Sequence, residues 1–444
     1  MRSVFQHWKL SSSQIIMIGF ALVILAGALL LTLPISSREG IHTPFFNCLF
    51  TSTSAVCVTG LVVYDTATHW SAFGQAVILL LIQIGGMGVV TVAVAIAMIS
   101  GRKITLMQRS TMQDAISAPQ VGGIVRFTGF FLKGIFLIEF LGAVLMAPVF
   151  IHDFGVVDGI WKAMFHSVSA FCNAGFDLMG TNAPFSSLTG YVTHPAINLV
   201  IIVLIVVGGM GFLTWEDIRR NGLRIKRYRM QSKVILTMMA VLIVVPALYF
   251  YFGEFTGLSP KDRFWSSLFQ AVTPRTAGFN TIDLNMLSET GQLLTILLML
   301  IGGSPGSTAG GMKTTTVAVL IACAAAVFRR RESGCFFGRR IADETVKNAL
   351  TVFLMYLIMF LAGGMVISRL EGLPLVTSLF ESASAVGTVG LTLGITPTLG
   401  GISKLVLISL MFFGRVGGLT LIFATLPATK NTLSRLPLEK ITVG

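Results

Sequence analysis

Charged residues are scarce in this sequence. Only 11% of its 444 residues are Asp, Glu, Lys or Arg, and 54% are apolar, whereas soluble domains carry about 25% charged residues. A water-soluble fold has no core large enough to hide this much apolar surface. The composition therefore excludes an ordinary soluble protein and predicts a protein that lies in a membrane.

Patterns typical of enzymes and metal sites are also missing. The five cysteines form no CxxC pair and have no His at zinc spacing, which argues against a disulfide scaffold and a zinc site. No Ser–His–Asp, paired-carboxylate or HExxH arrangement occurs in an accessible segment. Glu139 lies in an apolar run without a partner, which supports no proton relay. We therefore predict that the chain is not an enzyme and carries no cofactor.

What the sequence has instead is long apolar runs. A run of about 17 residues or more is long enough for the roughly 30 Å hydrocarbon layer of a membrane. Eight such runs occur, at 15–33, 73–99, 127–151, 196–213, 234–252, 293–328 with an interruption, 351–367 and 405–426. Between the two runs of each pair lies a shorter apolar stretch that bears Ser and Gly, which we predict to be re-entrant.

The basic residues cluster between the pairs of runs. They follow the second, fourth and sixth runs, at 102–109, 219–233 and 329–347, and others lie near the two ends of the chain, at Arg2, Lys9, Lys430, Arg435 and Lys440. By the positive-inside rule, these loops and both termini are cytoplasmic. The net charge of +13 also raises nucleic-acid binding by the cluster at 219–233. A basic loop at a membrane surface explains that cluster without it, so we predict no nucleic-acid partner.

A short motif recurs four times, once in each re-entrant stretch. Each copy opens on Phe, continues through small hydroxyl and Ala positions, and ends on Gly: Phe50–Gly60, Phe165–Gly175, Phe269–Gly278 and Phe380–Gly390. The third copy is one residue shorter, and Pro274 replaces its Ala. Successive motif glycines are roughly 103 to 115 residues apart, which indicates four repeated units in a pseudo-symmetric assembly.

The four Gly-ended loops are predicted to line one pore. Irregular backbone at membrane depth is tolerated only where it is buried in protein or faces a water-filled cavity. Gly leaves no side chain in the way, so four loops can turn their carbonyl oxygens inward and replace the hydration shell of a monovalent cation. The negative end of each preceding helix dipole favours a cation at the same place. The alternative, that the glycines only cap helices, does not explain why they occupy corresponding positions.

Three motifs carry a family resemblance. Gln83-Ile-Gly-Gly-Met-Gly88, Gln270-Ala-Val-Thr-Pro-Arg-Thr-Ala-Gly-Phe-Asn280 and Phe413-Gly-Arg-Val-Gly417 resemble motifs of the superfamily of bacterial Trk and Ktr and plant high-affinity potassium transporters, in particular the membrane subunit of Ktr systems. Thr388-Val-Gly390 also resembles the Thr-Val-Gly core of the potassium-channel filter. The resemblance implies a selectivity filter, with potassium at the four motif glycines, made of Val58, Thr59, Gly60, Asn173, Ala174, Gly175, Thr276, Ala277, Gly278, Thr388, Val389 and Gly390. Family members with Ser at the first of these glycines admit sodium more readily, so Gly60 argues for potassium preference.

Charged residues also lie close to the motif glycines. Asp65, Asp177 and Asp283 follow the first three of them. They are either solvated loop residues or, at an outer mouth, groups that concentrate cations by focusing the local field. Arg275 lies within the third motif, and the resemblance implies that it is a structural element behind the filter rather than a ligand.

The run from 293 to 328 contains a segment that no helix crosses unbroken, because five glycines and Pro305 interrupt it between 302 and 316. Gly306 to Thr314 misses the phosphate-binding P-loop pattern, since Met312 separates Gly311 from Lys313 and no strand precedes it. The resemblance implies that the segment is a gate below the filter, made with Arg415 of the last run and with Gly303, Ser304, Pro305, Gly306, Ser307, Thr308, Gly310 and Lys313. An Arg at mid-membrane is usually functional, although an Arg that reaches up to the interface is the alternative.

These observations predict an all-α membrane protein with eight transmembrane helices, in four span–pore loop–span repeats around one pseudo-fourfold pore. The repeats are placed at 1–101, 102–222, 223–331 and 332–444. The resemblance implies potassium uptake across the cytoplasmic membrane, with sodium as an activating or coupled ion. It further implies a homodimer in membrane lipid, docked on a cytosolic, KtrA-like ring of nucleotide-binding regulatory subunits.

Two other classes of protein remain open from the sequence. A transporter of an organic solute would show inverted repeats and broken helices near the midplane, whereas the repeats here run in one orientation. A structural membrane scaffold would need neither the interrupted segment nor Arg415.

Overall fold

The computed structural model describes residues 11–100, 104–115, 123–181, 183–425 and 439, and in that part of the chain the regular structure is almost entirely α-helical. The helices follow in four groups. The first contains α1 (Ser12–Thr32), α2 (Phe45–Val56), α3 (Thr66–His69), α4 (Ala72–Met87), α5 (Val89–Ile99) and α6 (Leu106–Ala115). The second contains α7 (Ile124–Phe154), α8 (Val156–Phe171), α9 (Pro195–Gly209) and α10 (Phe212–Asn221). The third contains α11 (Met230–Tyr249), α12 (Pro260–Val272), α13 (Glu289–Leu300) and α14 (Thr314–Phe328), and the fourth contains α15 (Asp343–Glu371), α16 (Leu375–Gly387), α17 (Gly401–Val416) and α18 (Gly418–Thr425).

The only strands in the described residues form one short antiparallel hairpin between α14 and α15. It pairs β1 (Cys335–Phe336) with β2 (Arg339–Arg340). Several helices begin where the sequence has a capping residue. Ser11 and Gln14 form a capping box at α1, and Ser71 and Ser288 cap α4 and α13 by accepting backbone N–H groups.

The outside of the helix bundle is apolar. Four long helices, α1, α7, α11 with its π-helical continuation to Glu254, and α15, are long and apolar enough to cross a membrane, and only 28% to 33% of their apolar windows is buried. Leu29, Phe140 and Ile358 are 62%, 64% and 64% exposed on these helices. An apolar exterior of this extent is stable only in hydrocarbon. The structure is therefore that of a mostly helical membrane protein.

In three of the four groups, the second apolar run is not the uninterrupted span that the sequence predicts. We expected continuous spans at 73–99, 196–213 and 405–426, but α4, α9 and α17 end at Met87, Gly209 and Val416. The chain bends by 94° between α4 and α5 and by 98° between α9 and α10. Gly88, Gly211 and Gly417 lie at the breaks with φ of 85°, 91° and 89°, a conformation that glycine adopts readily. Hydropathy did not reveal the breaks because the residues on both sides are apolar.

The third group breaks in another way, through the loop 301–313 between α13 and α14. The predicted interruption at 302–316 is thus three residues too long, since α14 already begins at Thr314. By length and composition, the described chain holds four membrane-crossing helices, or up to six if each of the two bent pairs counts as one span.

The four short helices, α2, α8, α12 and α16, pack inside the bundle. Each of them contains the first residues of one copy of the repeated motif. The motif residues Phe50, Phe165, Phe269 and Phe380 are at most 1% exposed. In three groups a Ser two residues later donates a hydrogen bond to a carbonyl of the preceding long helix, from Ser52 to Ile24 (2.7 Å), from Ser167 to Glu139 (2.6 Å) and from Ser382 to Phe360 (2.8 Å). A Cβ on Gly27, Gly142 or Gly363 would meet the same hydroxyl groups. Glycine therefore lets the long helix approach closely enough for these bonds.

Part of the basic surface lies within the described residues. The cluster 219–233 extends from α10 through the following turn into the start of α11. Arg229 pairs with Glu216 at 2.9 Å, and Arg220 lies 3.8 Å from the same carboxylate. Arg2, Lys9, Arg102, Lys103, Lys430, Arg435 and Lys440 lie outside the described residues.

Candidate ion site

The four motif loops share one backbone conformation. In each, a residue with left-handed φ is followed two positions later by a glycine with positive φ. The first residues are Val58 (57°), Asn173 (58°), Thr276 (66°) and Thr388 (51°), and the glycines are Gly60 (94°), Gly175 (69°), Gly278 (82°) and Gly390 (95°). Positive φ is unusual for β-branched residues, and backbone strain of this kind clusters at functional sites. We name residues 58–60, 173–175, 276–278 and 388–390 ring loops I to IV.

The glycines of the ring loops form a closed ring. A Cβ added to Gly60 would lie 2.6 Å from the carbonyl oxygen of Ala174 in ring loop II, and one on Gly175 would lie 2.9 Å from that of Ala277 in ring loop III. One on Gly278 would overlap the Val389 carbonyl, and one on Gly390 would overlap the Thr59 carbonyl. Each loop therefore approaches the next in chain order, and the fourth returns to the first. Glycine is required because each missing side chain would occupy the space of a neighbouring carbonyl.

Each ring loop is held from behind by the end of its short helix. The N–H groups of Thr59, Ala174 and Val389 donate to carbonyls five residues earlier, those of Ser54, Ser169 and Ser384, at 2.8 Å in each loop. In ring loop III, Ala277 donates to Thr273, four residues earlier, at 3.0 Å. The one-residue deletion in the third motif thus shortens the turn before the ring and leaves the position of Gly278 in the ring unchanged.

The ring loops contain buried oxygens that no protein donor satisfies. Within the described residues, Thr59 Oγ1, Asn173 Oδ1 and Thr388 Oγ1 have no hydrogen-bond partner, and each side chain is at most 1% exposed. An unpaired buried oxygen costs free energy. The Asn173 and Thr388 oxygens lie toward Gly208 of α9 and Gly310 of the loop 301–313, where an added Cβ would meet them.

The loop 301–313 lies against the ring loops and the helix breaks. Thr308 Oγ1 donates to the Phe171 carbonyl at 3.0 Å, and Ser304 N donates to the Gly209 carbonyl at 3.1 Å. Gly311 N donates to the Gly414 carbonyl at 3.1 Å. A Cβ on Gly310 would overlap the Thr388 side chain of ring loop IV. The loop is therefore packed directly beside the ring, and its glycines allow that approach.

Arg415 joins three separate segments of the chain. Its Nη1 donates to the Thr308 carbonyl in the loop 301–313, and its Nη2 donates to the carbonyls of Gly85 and Gly86, the latter at 3.1 Å. A guanidinium with five donors satisfies several carbonyls at once, here one from the loop 301–313 and two from the last turn of α4. Arg415 does not reach up to an interface; its guanidinium is bonded inside the protein.

A cavity of about 270 Å³ lies beside Arg415 and the loop. Lys313 and Ser307 from the loop, Gly88 from the first helix break and Asp114 from α6 all line it. Lys313 Nζ donates to the Ala309 carbonyl at 2.8 Å, so the charge is tied to its own loop. No sequence pattern pointed to Asp114, which α6 brings to the cavity.

The three carboxylates after the motif glycines have different environments. Asp65 is 8% exposed; it caps α3 through Ala67 and Thr68 and accepts the Phe185 N–H at 2.8 Å. Asp65 is therefore a structural link between two loops and not a solvated loop residue. Asp283 caps the turn at Leu284. Asp177 is half-buried, and burial raises the pKa of its carboxyl to about 6, against the opposite effect of the Met179 N–H bond.

Three buried groups were missed or misread from the sequence. Glu139 does have partners, since Gln83 donates to its carboxylate at 3.1 Å and Cys172 approaches at 3.8 Å. Glu381 and His166 occupy corresponding motif positions, directly after Phe, and are fully buried. That shared position was the available signal. Among the described residues, no cluster of three His, Cys, Asp or Glu side chains could hold a metal ion.

Known proteins resemble this chain in sequence and in fold. The family model described as TrkH, cation transport protein, matches residues 11–433. The chain is 41% identical to the potassium/sodium uptake protein NtpJ of Enterococcus hirae, over 98% of each chain. It is 38% identical to the Ktr system potassium uptake protein B of Bacillus subtilis, over 98% of this chain and 97% of that protein. The solved structure of the potassium transporter TrkH from Vibrio parahaemolyticus has the same fold, with a TM-score of 0.74 at 22% identity over 95% of this chain and 86% of that one.

Proposed function

Because this chain belongs to the TrkH family of cation transport proteins, we propose that it carries potassium into the cell through a channel-like pore, as the ion-translocating subunit of a Ktr-type system. The closed ring of Gly60, Gly175, Gly278 and Gly390 is the observation that carries the proposal. Four carbonyl-bearing loops at one ring suit a single dehydrated cation. The relatives whose names specify potassium cover nearly the whole chain.

The selectivity filter in this proposal consists of the ring loops. Their carbonyls replace the hydration shell of potassium. The ends of α2, α8, α12 and α16 that carry the loops add the negative ends of four helix dipoles, which favour a cation over an anion. Arg275 stays behind ring loop III, 5% exposed, as a structural residue.

The four groups of helices are the four units of one pore, and each unit crosses the membrane twice. The crossing pairs are α1 and α4, α7 and α9, α11 and α13, and α15 and α17. In support, each unit has a long first helix, an inner short helix, a ring loop and a second helix that ends in a break. This arrangement gives eight crossings and one pseudo-fourfold axis through the ring.

The gate is the loop 301–313 with Arg415. The loop touches ring loop IV and the helix breaks of other units, and Arg415 fastens it to the end of α4. A loop rich in glycine can move without breaking a helix ladder. A cation must pass Arg415 and Lys313 beside the cavity, so their positive charges oppose conduction while the loop stays in this position.

Membrane potential drives the uptake, since it is worth about 2.3 kcal/mol per charge per 100 mV. The NtpJ relative is named for both potassium and sodium, and sodium is here the activating or coupled ion. The basic loops and both termini face the cytoplasm. The protein works as a homodimer in the cell membrane, and a cytosolic ring of nucleotide-binding subunits docks on the basic side and moves the gate.

Rubidium uptake into proteoliposomes tests the proposal. With an inward-driving potential, we expect rubidium to enter and external potassium to compete more strongly than sodium or lithium. Repeating the measurement with and without sodium separates activation by sodium from competition. Gly190→Ala serves as a matched glycine control, because a Cβ at Gly190 has nothing within 4 Å. Absence of rubidium entry, or equal competition by all three ions, would contradict a potassium-selective pore.

A further inference from the structure

On the short helix behind each ring loop, one motif position holds a different polar residue in each unit. The residue directly after the motif Phe is Thr51, His166, Gln270 or Glu381, and each is at most 1% exposed. A buried polar side chain needs partners. The partners show which element each residue holds in place.

Glu381 ties α16 to the segment that follows Gly390. One carboxyl oxygen accepts the Thr392 hydroxyl at 2.8 Å, and the other accepts the Thr396 hydroxyl. The Thr392 hydroxyl in turn accepts the Gly394 N–H at 3.0 Å. The Glu381 carboxylate, on the buried part of α16, therefore bonds the segment after ring loop IV at two points.

His166 makes the corresponding link in ring loop II. Its Nδ1 lies 2.7 Å from the Lys162 carbonyl of its own helix, and its Nε2 lies 3.3 Å from the Leu178 N. A carbonyl beside Nδ1 and an N–H beside Nε2 select one neutral tautomer, with the proton on Nδ1. In that form His166 accepts the backbone N–H three residues after Gly175.

In the other two units, the residue directly after the motif Phe does not make this link. Thr51 Oγ1 donates to the Asn47 carbonyl of its own helix, and Gln270 Nε2 lies 3.4 Å from Thr295 Oγ1 in α13. Neither bond reaches the segment after its ring glycine. The ring runs from loop I through II and III to IV and back, so loops II and IV lie opposite each other.

We infer that Glu381 and His166 are positioning residues for ion selectivity, which hold the exits of two opposite ring loops from behind. This inference rests on the proposed function. Neither side chain belongs to a ring loop, so each acts on the carbonyl geometry through the segment that it bonds. Loss of either link removes part of the support of the exit, although Ser169 still donates to the Phe176 carbonyl at 2.7 Å and Ser384 still accepts the Gly390 N–H at 3.0 Å.

Measured selectivity distinguishes this role from a general contribution to stability. We expect Glu381→Ala and His166→Leu each to lower the preference for rubidium over sodium by about tenfold, the order of effect of losing hydrogen bonds to a charged or buried group. Thr51→Val and Gln270→Leu, at the same position in the other units, are the matched controls and should keep the wild-type preference. Glu381→Gln retains an oxygen and an amide for the two hydroxyls and should stay close to wild type.

Two further variants test the role of Glu381 if Glu381→Ala fails to fold. Thr392→Val and Thr396→Val remove the donors and nearly keep the side-chain shape. Each should lower selectivity, and combining either with Glu381→Ala should add little, because the residues act as one unit. Wild-type protein without rubidium uptake would refute the proposed function itself. Wild-type uptake with unchanged selectivity in the Glu381, Thr392 and Thr396 variants, or equal losses in the controls, would refute only the positioning role.

Discussion

The closed ring of glycines predicts that alanine lowers the ion selectivity by a different amount at each of the four ring positions. Real Cβ atoms essentially never approach other atoms within 3.0 Å, so an added Cβ must displace its neighbour by the shortfall. At Gly175 the shortfall from 2.9 Å is about 0.1 Å, and at Gly60, from 2.6 Å, it is about 0.4 Å. At Gly278 and Gly390 it exceeds 0.5 Å, and the displaced atom is a backbone carbonyl oxygen of the next ring loop.

The backbone conformation of these glycines likewise predicts that alanine is tolerated better at Gly175 than at Gly60 or Gly390. The φ of Gly175, 69°, is close to the left-handed region open to other residues, whereas the 94° and 95° of Gly60 and Gly390 lie farther from it. Strain at such positions costs about 1–3 kcal/mol, and about 1.4 kcal/mol corresponds to a tenfold change in an equilibrium ratio. We therefore expect alanine to lower the potassium-over-sodium preference by about tenfold or more at Gly390 and Gly278, by less at Gly60, and by under about threefold at Gly175.

Paired rubidium and sodium fluxes through the four alanine variants, each reconstituted at equal density, measure this order. Gly190→Ala controls for the loss of a glycine outside the ring, and unfolding temperature in detergent identifies variants that are simply unstable. If Gly390→Ala keeps wild-type selectivity, or Gly175→Ala loses the most, the contacts between neighbouring loops do not set the ion preference and the reasoning fails.

Three further predictions concern the gate and the outer loops. Arg415→Ala should raise flux without the regulatory partner by about tenfold, equivalent to a barrier lower by about 1.4 kcal/mol, and unchanged flux in liposomes would contradict a barrier at Arg415. Asp65→Ala should destabilise the folded protein by about 2–4 kcal/mol because it loses a helix cap and a buried bond to the Phe185 N–H. Asp283→Ala should cost about 1 kcal/mol, because it loses a cap and an exposed bond from the Asn285 side-chain amide. Equal unfolding temperatures for the two variants would refute this. Uptake at low external potassium should fall as the external pH drops through about 6, where the Asp177 carboxyl gains a proton and its negative charge is lost. Asp177→Asn should abolish that pH dependence, and a variant with the wild-type pH profile would assign it to another group.

Much of this protein follows from local sequence patterns. The composition and the apolar runs indicate a membrane protein, and the described structure has an apolar exterior on α1, α7, α11 and α15. The four Phe-to-Gly motifs are visible without a structure, because a buried Phe, small hydroxyl residues and a terminal Gly stand at fixed spacing. The family is equally readable from the sequence and is confirmed by the match over residues 11–433.

The helix breaks could not be predicted from local sequence patterns. Gly88, Gly211 and Gly417 lie among apolar residues, and a hydropathy pattern reports that a segment suits hydrocarbon without reporting its direction. Other glycines stand beside each of them, at Gly85 and Gly86, at Gly208 and Gly209, and at Gly414 and Gly418, but Gly within an apolar run does not by itself end a helix. Only packing of the following helices against other parts of the bundle decides that the chain turns there.

The partners of the buried polar residues also depend on tertiary structure. Asp65 had the spacing of a mouth carboxylate but lies within reach of Phe185, 120 residues later, and Arg415 meets Gly86, 329 residues earlier. The sequence by itself determined which residues repeat and which are polar in an apolar setting, since those are properties of local spacing. The tertiary structure decided which carbonyl each of them faces, because that depends on how segments far apart in the sequence pack against one another.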